Sequence, residues 1–306
     1  MKNILVVGSS NTDMIVRVPR IPGPGETILG GTFAMAAGGK GANQAVAAAR
    51  AGGRVTLVAR VGDDIFGERA LANFEADGLD TRFIVRTPGT STGVALINVD
   101  GRGENSISVA SGANALLSVE DVIRAGGAFA AADIVLLQLE SPPGTVEAAV
   151  RKAGERGVPV VFNPAPACPL DDRLLRGVAI LTPNEHEAGI LSGIAVTAEG
   201  GAREAAARLR ALGPAAVVIT LGERGVYASA PGFEGPVPGF KVDPVDTTAA
   251  GDVFNGALAV ALAEKVAFAD ALRFAQAAAA ISVTRPGAQP SAPTRTEIDA
   301  FLSDRS

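Results

Sequence analysis

Val245-Asp246-Thr247-Thr248-Ala249-Ala250-Gly251-Asp252-Val253-Phe254-Asn255-Gly256 is a run of small residues closing on Gly-Asp, followed by the apolar segment Ala257 to Leu262. The pattern predicts a loop entering a helix that starts near Ala249 or Ala250. A helix start leaves backbone N–H groups without intrahelical partners and carries the positive end of the dipole. Ala249, Ala250 and Gly251 have almost no side chain, so an anion can approach that backbone closely. Asp252 stands beside this anion hole, and a carboxylate there can take a proton from an alcohol while the hole holds developing negative charge. An acid in a first turn also simply complements the dipole. The stretch alone supports both uses of Asp252 equally.

Working outward, apolar runs alternate with helix-forming segments. Ile4–Val7, Val55–Val61, Ile134–Leu139, Val158–Asn163, Ile180–Leu181 and Ala216–Leu221 have the unbroken apolar character of strands buried on both faces. Ala42–Ala51, Glu68–Ala76, Thr145–Glu155 and Ala202–Leu212 read as helices between them. Val253–Ala263, Phe268–Val283 and Arg295–Leu302 read as helices at the end of the chain. Alternation of this kind predicts a doubly wound α/β layer. Two regions break it. Met14–Val18 and Thr27–Ala36 are strand-like without a helix between, and so are Thr92–Val99 and Asn105–Ala110 around an Asp100-Gly101-Arg102-Gly103 turn. They predict a small sheet standing off the core, built from about 12–36 and 90–111.

The chain of 306 residues is 47% apolar and 19% charged, enough for one large core and too apolar for a disordered chain. Its net charge of −5, with no basic run, argues against nucleic acid as a partner. No apolar run reaches spanning length, so no membrane partner is expected. Met1-Lys2-Asn3 leads straight into Ile4–Gly8, too short for a signal peptide. The single cysteine, Cys168, has no internal partner, which fits a reducing cytoplasm, and reads as a small buried residue. The single histidine, His186, cannot build a multi-His metal site and is expected at the surface.

Several loops follow the strands. Gly8-Ser9-Ser10-Asn11-Thr12-Asp13 lies where α/β sheets place ligands, and its Asn and Asp suit hydroxyl groups; such residues also satisfy their own backbone in ordinary loops. Gly38-Gly39-Lys40-Gly41-Ala42-Asn43-Gln44 opens a helix. It is not a Walker A loop, having Ala34 where the first Gly belongs and Gly41 after the Lys, and Gln44 breaks G-x-G-x-x-G. A glycine-rich helix cap accounts for it as well as a function does. Thr182-Pro183-Asn184-Glu185-His186-Glu187 contains Asn-x-x-Glu, a capping-box pattern with Asn184 as cap. Thr220-Leu221-Gly222-Glu223-Arg224-Gly225 reads locally as a strand-turn-strand hairpin. Glu140 ends a core strand and Gln276 lies in the Ala-rich helix, where a helix-surface amide is an ordinary reading.

Asp-Thr-Thr-Ala-Ala-Gly-Asp at 246–252 resembles the C-terminal signature of the ribokinase (PfkB) family of carbohydrate kinases. Asn11-Thr12-Asp13, Gly39–Ala47, Thr92-Gly93-Val94-Ala95 and Leu137-Gln138-Leu139-Glu140-Ser141-Pro142 resemble the ribokinase branch of that family, and the likeness runs from Asn3 to about Leu302. The resemblance implies one kinase domain over 1–306: a ribokinase-like three-layer α/β sandwich with a mostly parallel central sheet and a small β-sheet lid. It implies ATP-dependent phosphorylation of D-ribose at O5. Asp252 would be the base, with Ala249, Ala250 and Gly251 in the anion hole. Asn11, Thr12, Asp13, Gly39, Lys40, Gly41, Ala42, Asn43 and Glu140 would hold the sugar.

Asn184 and Glu187 would arrange Mg²⁺ and its waters, and Thr220, Leu221, Gly222, Glu223, Arg224, Gly225 and Gln276 would border ATP. Ribokinase-like proteins bind K⁺ between two loops whose matching positions here are Asp246, Thr248, Ser282, Arg285, Gly287 and Ser291. They are typically dimers, which implies a homodimer through the lid. A 2-deoxyribokinase, a nucleoside kinase and a catalytically dead sugar sensor share the fold. One Tyr and no Trp give no sign of a base pocket, and intact Gly251, Asp252 and Glu187 argue against a dead protein.

Overall fold

The first strand, β1 (Asn3–Val7), shows why the chain layers as it does. Ile4 and Val6 enter one apolar cluster and Leu5 and Val7 the other, on opposite faces of one strand. A strand buried on both faces needs helices on both sides, and the continuous apolar run follows from that. The computed structural model describes residues 1–197 and 200–305.

The strands after β1 are β2 (Asn11–Arg17), β3 (Thr32–Gly38), β4 (Arg54–Gly62), β5 (Asp80–Thr87), β6 (Gly93–Val99) and β7 (Asn105–Ala110). They continue as β8 (Ile134–Leu137), β9 (Val160–Phe162), β10 (Ile180–Leu181), β11 (Ala216–Thr220), β12 (Val226–Ala230) and β13 (Phe233–Val237). The helices are α1 (Lys40–Arg50), α2 (Ile65–Ala76), α3 (Val119–Arg124), α4 (Gly126–Ala131), α5 (Pro143–Glu155) and α6 (Asp172–Arg176). They end with α7 (Glu185–Ser192), α8 (Ala202–Ala211), α9 (Ala250–Ala263), α10 (Phe268–Ser282) and α11 (Arg295–Ser303).

Among the described residues a nine-stranded sheet runs β13-β12-β11-β10-β9-β8-β1-β4-β5, parallel except where β12 and β13 fold back at one edge. α1, α2, α9, α10 and α11 cover one face; α3 to α8 cover the other. The expected three-layer α/β architecture is present. A separate four-stranded sheet, β3-β2-β6-β7, joins β2 and β6 in parallel and is antiparallel elsewhere. β1 pairs with β4 on one side and β8 on the other, so the order of the large sheet reverses there. That switch point is where open α/β sheets leave a crevice beyond the strand ends.

The differences from expectation are local. Residues 27–31 are not strand, and β3 begins at Thr32. β5, α3, α4 and α6 carry too few residues of clear periodicity to stand out in the sequence. Cys168 is half-buried, not buried.

One contact positions the site. A Cβ added at Gly256 would lie 2.6 Å from the Gln44 carbonyl and 2.8 Å from the Ala48 N–H nitrogen. α1 and α9 therefore touch backbone to backbone, which sets the first turn of α1 beside the first turn of α9.

Candidate active site

α9 begins as expected. Ala249 is its N-cap residue at φ 60, a left-handed conformation that costs a residue with a Cβ about 1 kcal/mol. Ala250 N–H reaches back to the Thr247 carbonyl at 3.3 Å, and Val253 N–H makes the first full helical bond, donating to the Ala249 carbonyl at 2.9 Å. The amides of Gly251 and Asp252 come before that bond, and a Cβ at Gly251 would meet nothing within 4 Å. The helix start is thus open to a ligand anion.

Asp252 lies just behind it, 5% exposed. Its Oδ2 accepts from Asn43 Nδ2 and its Oδ1 from Gln44 Nε2, both at 3.0 Å. Burial pushes the Asp252 carboxyl above its ordinary pKa, and the Lys40 ammonium and the two amides work against that. The Oδ1 of Asn43 is buried without a partner among the described residues, an acceptor that a bound hydroxyl would satisfy.

Three acids and one amine face this point. Glu140, at the end of β8, uses Oε2 to accept from Ser9 Oγ at 2.6 Å and from the Lys40 N–H at 2.9 Å. It therefore occupies the N-terminus of α1, while that of α9 stays open. Asp13 on β2 is raised from 3.8 to about 6 by burial first, then by Glu140 and Asp252. Burial lowers the Lys40 pKa, but Asp252, Glu140 and Glu187 outweigh it and hold the ammonium up.

Asn184 and Glu187 form a complete capping box at α7: Glu187 N–H donates to Asn184 Oδ1, and Asn184 N–H to Glu187 Oε2, both at 2.8 Å. Glu187 is also buried and senses Lys40 and Asp252, with burial raising its pKa. The same acid caps a helix and faces Lys40 and Asp252. His186 is exposed, as expected.

Other residues of the expected site are placed differently from Asn11, Asp13 and Asp252. Thr12 pairs with Val94 and Ala37, so it points to the opposite face of β2 from Asn11 and Asp13. Ala42 is fully buried in the core, its N–H bound to the Ser9 carbonyl, and Leu221 belongs to the second apolar cluster. Thr220–Gly225 is indeed a hairpin bend from β11 to β12, through a short 3₁₀ turn at Gly222–Arg224. Arg224 pairs with Glu185, and Glu223 is exposed. Gln276 is a buried amide, not a surface one, and with its amide nitrogen turned toward the Val237 and Pro238 carbonyls it would donate to both, at 3.3 and 3.2 Å.

Asp246 joins two loops, accepting from Thr248 N–H and Gly287 N–H at 2.9 Å each. Val245 and Asp246 both donate to the Val283 carbonyl, between Ser282 and Arg285. Ser291 is buried and donates to the Ala288 carbonyl at 2.7 Å. The loops at 245–248 and 283–291 are therefore adjacent.

A buried amide chain supports the site and escaped the motif reading. Gln138 Nε2 donates to Gln44 Oε1 at 2.6 Å, and Gln44 Nε2 is shared by Asp252 and Asn163. Asn163 reaches the Thr182 carbonyl, Thr182 Oγ1 the Asn255 side chain, and Asn255 the Gly251 carbonyl. A signal existed: Gln138 interrupts an apolar strand, and a buried amide demands partners. A cleft of about 370 Å³ opens beside these residues, lined in part by Asn11, Asn114, Glu140 and Ser141.

A buried carboxylate beside an open helix start, at the switch point of a three-layer sheet, defines a phosphotransferase acting on an alcohol. The chain belongs to the pfkB family of carbohydrate kinases, whose model matches residues 1–295. It is 47% identical to a ribokinase of Haemophilus influenzae over 98% of each chain. It is 38% identical to a deoxyribokinase of Salmonella typhi over 98% of this chain and 99% of that one. Among solved structures it is similar to an Arabidopsis thaliana ribokinase complexed with ribose and ATP, with TM-score 0.90, 33% identity and 98% of each chain covered.

Proposed function

We propose that this chain transfers the γ-phosphoryl group of ATP to O5 of D-ribose. The observation that carries the proposal is the buried, doubly amide-bound Asp252 directly behind the open start of α9. Asp252 takes the O5 proton as the O5–P bond forms and the bond from the γ-phosphorus to ADP breaks. The amides at the start of α9, chiefly those of Gly251 and Asp252, hold the charge of the phosphoryl group in transfer. Asn11, Asp13, Asn43 and Glu140 hold the sugar, with Gly39, Lys40 and Gly41 contributing the backbone and the ammonium of the α1 start. The small sheet acts as the lid. The hairpin bend at Thr220–Gly225 and the 237–239 segment braced by Gln276 border the nucleotide.

Mg²⁺ fits the remaining acids. Among the described residues no three His, Cys, Asp or Glu side chains form a direct cage. Mg²⁺ usually keeps its water and needs only one or two carboxylates with the phosphates. Asn184 and Glu187 would hold its waters, and the ion would offset phosphate charge. K⁺ would be held between the adjacent 245–248 and 283–291 loops, where Asp246 would supply the negative charge. Two copies of the chain pair through the lid, and the site works in the cytoplasm.

The test is ADP release measured over ribose, 2-deoxyribose, fructose and adenosine. Ribose is expected to give the highest kcat/KM. A clear preference for 2-deoxyribose would transfer the assignment to a deoxyribokinase, the second reading that the Salmonella relative supports. ADP release with none of the four would remove the sugar-kinase reading.

A further inference from the structure

Asn11 has a side chain that can be turned two ways, and what it offers a sugar depends on which. Its neighbour Asn114 decides. Asn114 sits on a 3₁₀ turn at Gly112–Leu116 and is 2% exposed. Its Oδ1 accepts from the Ser10 N–H at 2.9 Å, and its Nδ2 donates to the Ser10 carbonyl at 3.1 Å. A backbone N–H can only donate and a backbone carbonyl can only accept, so the Asn114 amide has one allowed orientation. The same Nδ2 lies 2.7 Å from Asn11, and because it can only donate, the atom it meets must be Asn11 Oδ1.

Asn11 is 7% exposed, and its Nδ2 has no acceptor among the described residues. Both asparagines line the cleft of about 370 Å³ that Glu140 also lines. That Nδ2 therefore opens on the cleft as a free donor, which a ligand oxygen can take up in place of water.

We propose that Asn114 is a positioning residue for sugar binding: by reading both backbone groups of Ser10 it commits Asn11 to donate a hydrogen bond to a sugar hydroxyl oxygen. Asp13 and Glu140 are acceptors beside it, and Asn11 supplies a donor among them. Ser10 and Asn11 are also where β1 leaves the large sheet for the small one, so the same contact ties the sugar site to the base of the lid. The proposal rests on the sugar-kinase reading given above.

The test is a double-mutant cycle on ribose kinetics. Asn114→Ala leaves Asn11 free to rotate and is expected to raise KM for ribose by roughly tenfold, the value of one hydrogen bond, with kcat within about threefold. Asn114→Asp keeps the bond to Ser10 N–H and the side-chain volume, loses the donor, and is expected to do the same. It serves as the second variant if the alanine protein does not fold. Each is repeated in the Asn11→Ala background, which cancels effects on charge and packing. There the Asn114 substitutions are expected to change KM by less than about twofold, since the group they position is gone. Equal losses in both backgrounds, or a fall in kcat with KM unchanged, would overturn the proposal by showing a merely structural role. A parent protein that releases no ADP with ribose or 2-deoxyribose sinks the underlying reading instead, and so separates the two failures.

Discussion

Asp252 is buried and Asp13 half-buried, both have raised pKa values, and the surroundings give them different work. Asp252 accepts two amides and lies behind the open start of α9, the place the proposed mechanism gives the base. Asp252→Asn is expected to preserve the fold and to lower kcat about 10²–10⁴-fold. Purified variant phosphorylating ribose within threefold of the parent would remove Asp252 as the base. Burial, then Glu140 and Asp252, lifts Asp13 from 3.8 to about 6. The folded state therefore binds the proton more tightly than the unfolded chain. Below the lower value both states are protonated and nothing is lost. As pH rises through the window stability falls, and above about 6 the full cost of roughly 3 kcal/mol is present. Asp13→Asn is expected to raise Tm at pH 8 and to lose that gain toward pH 4, while ribose binding weakens at every pH. Thermal melts at the two pH values check the first half; a Tm gain independent of pH would contradict it.

At the scale of elements, two glycines of α9 separate function from packing. Gly251 faces open space, so Gly251→Ala is expected to leave Tm unchanged while its methyl obstructs the approaching phosphate and cuts kcat/KM for ATP more than about tenfold. Gly256 faces the α1 backbone, and Gly256→Ala is expected to destabilise by about 1–3 kcal/mol by forcing the helices apart. Urea titration alongside steady-state kinetics distinguishes them, and a destabilised Gly251→Ala would show that the space is not free. The loops joined by Asp246 form the second case. Hydrogen bonds from Thr248 and Gly287 overcome the opposing effect of burial and hold the Asp246 carboxyl below its ordinary pKa, so it stays charged at neutral pH. K⁺ exchanged for choline at constant ionic strength is expected to raise the initial rate, Na⁺ less so, and Asp246→Ala to weaken the response. A flat rate in the parent would leave no role for a cation there.

At the scale of the molecule, the small sheet is unlike the large one because neither of its faces is fully covered. Register puts Met35 and Leu96 on one face and Ile107 and Val109, with Asp13, on the other, and all four apolar side chains are exposed. Paired edges and faces of this kind are where a second copy gains most from burial. Light scattering is expected to report a dimer, and Ile107→Lys is expected to shift it toward monomer and to raise KM for ribose, since Ile107 shares the face of Asp13. A monomeric parent would refute the arrangement.

The layered core and the start of α9 were legible in the sequence because each rests on local chemistry. Unbroken apolar runs announce strands buried on both faces, and Ala-Ala-Gly-Asp announces an open helix start with an acid inside it. The Asn184–Glu187 capping box was legible for the same reason, since its partners are three residues apart. What pattern could not supply is anything that depends on which residues meet across the fold. Thr12 looked like Asn11 and Asp13 until the pleat of β2 turned it away, and Gln276 looked like a surface amide until it was found beneath the 237–238 backbone. Gln44, Gln138, Asn163 and Asn255 come from four separate elements and become one hydrogen-bonded chain only when α1, α9 and the strand ends are packed together. Side-chain type and helix or strand period are properties of neighbours along the chain, so the sequence by itself determined those. The direction in which a buried amide donates is set by contacts between residues as far apart as Asn11 and Asn114, and only the tertiary structure decided that.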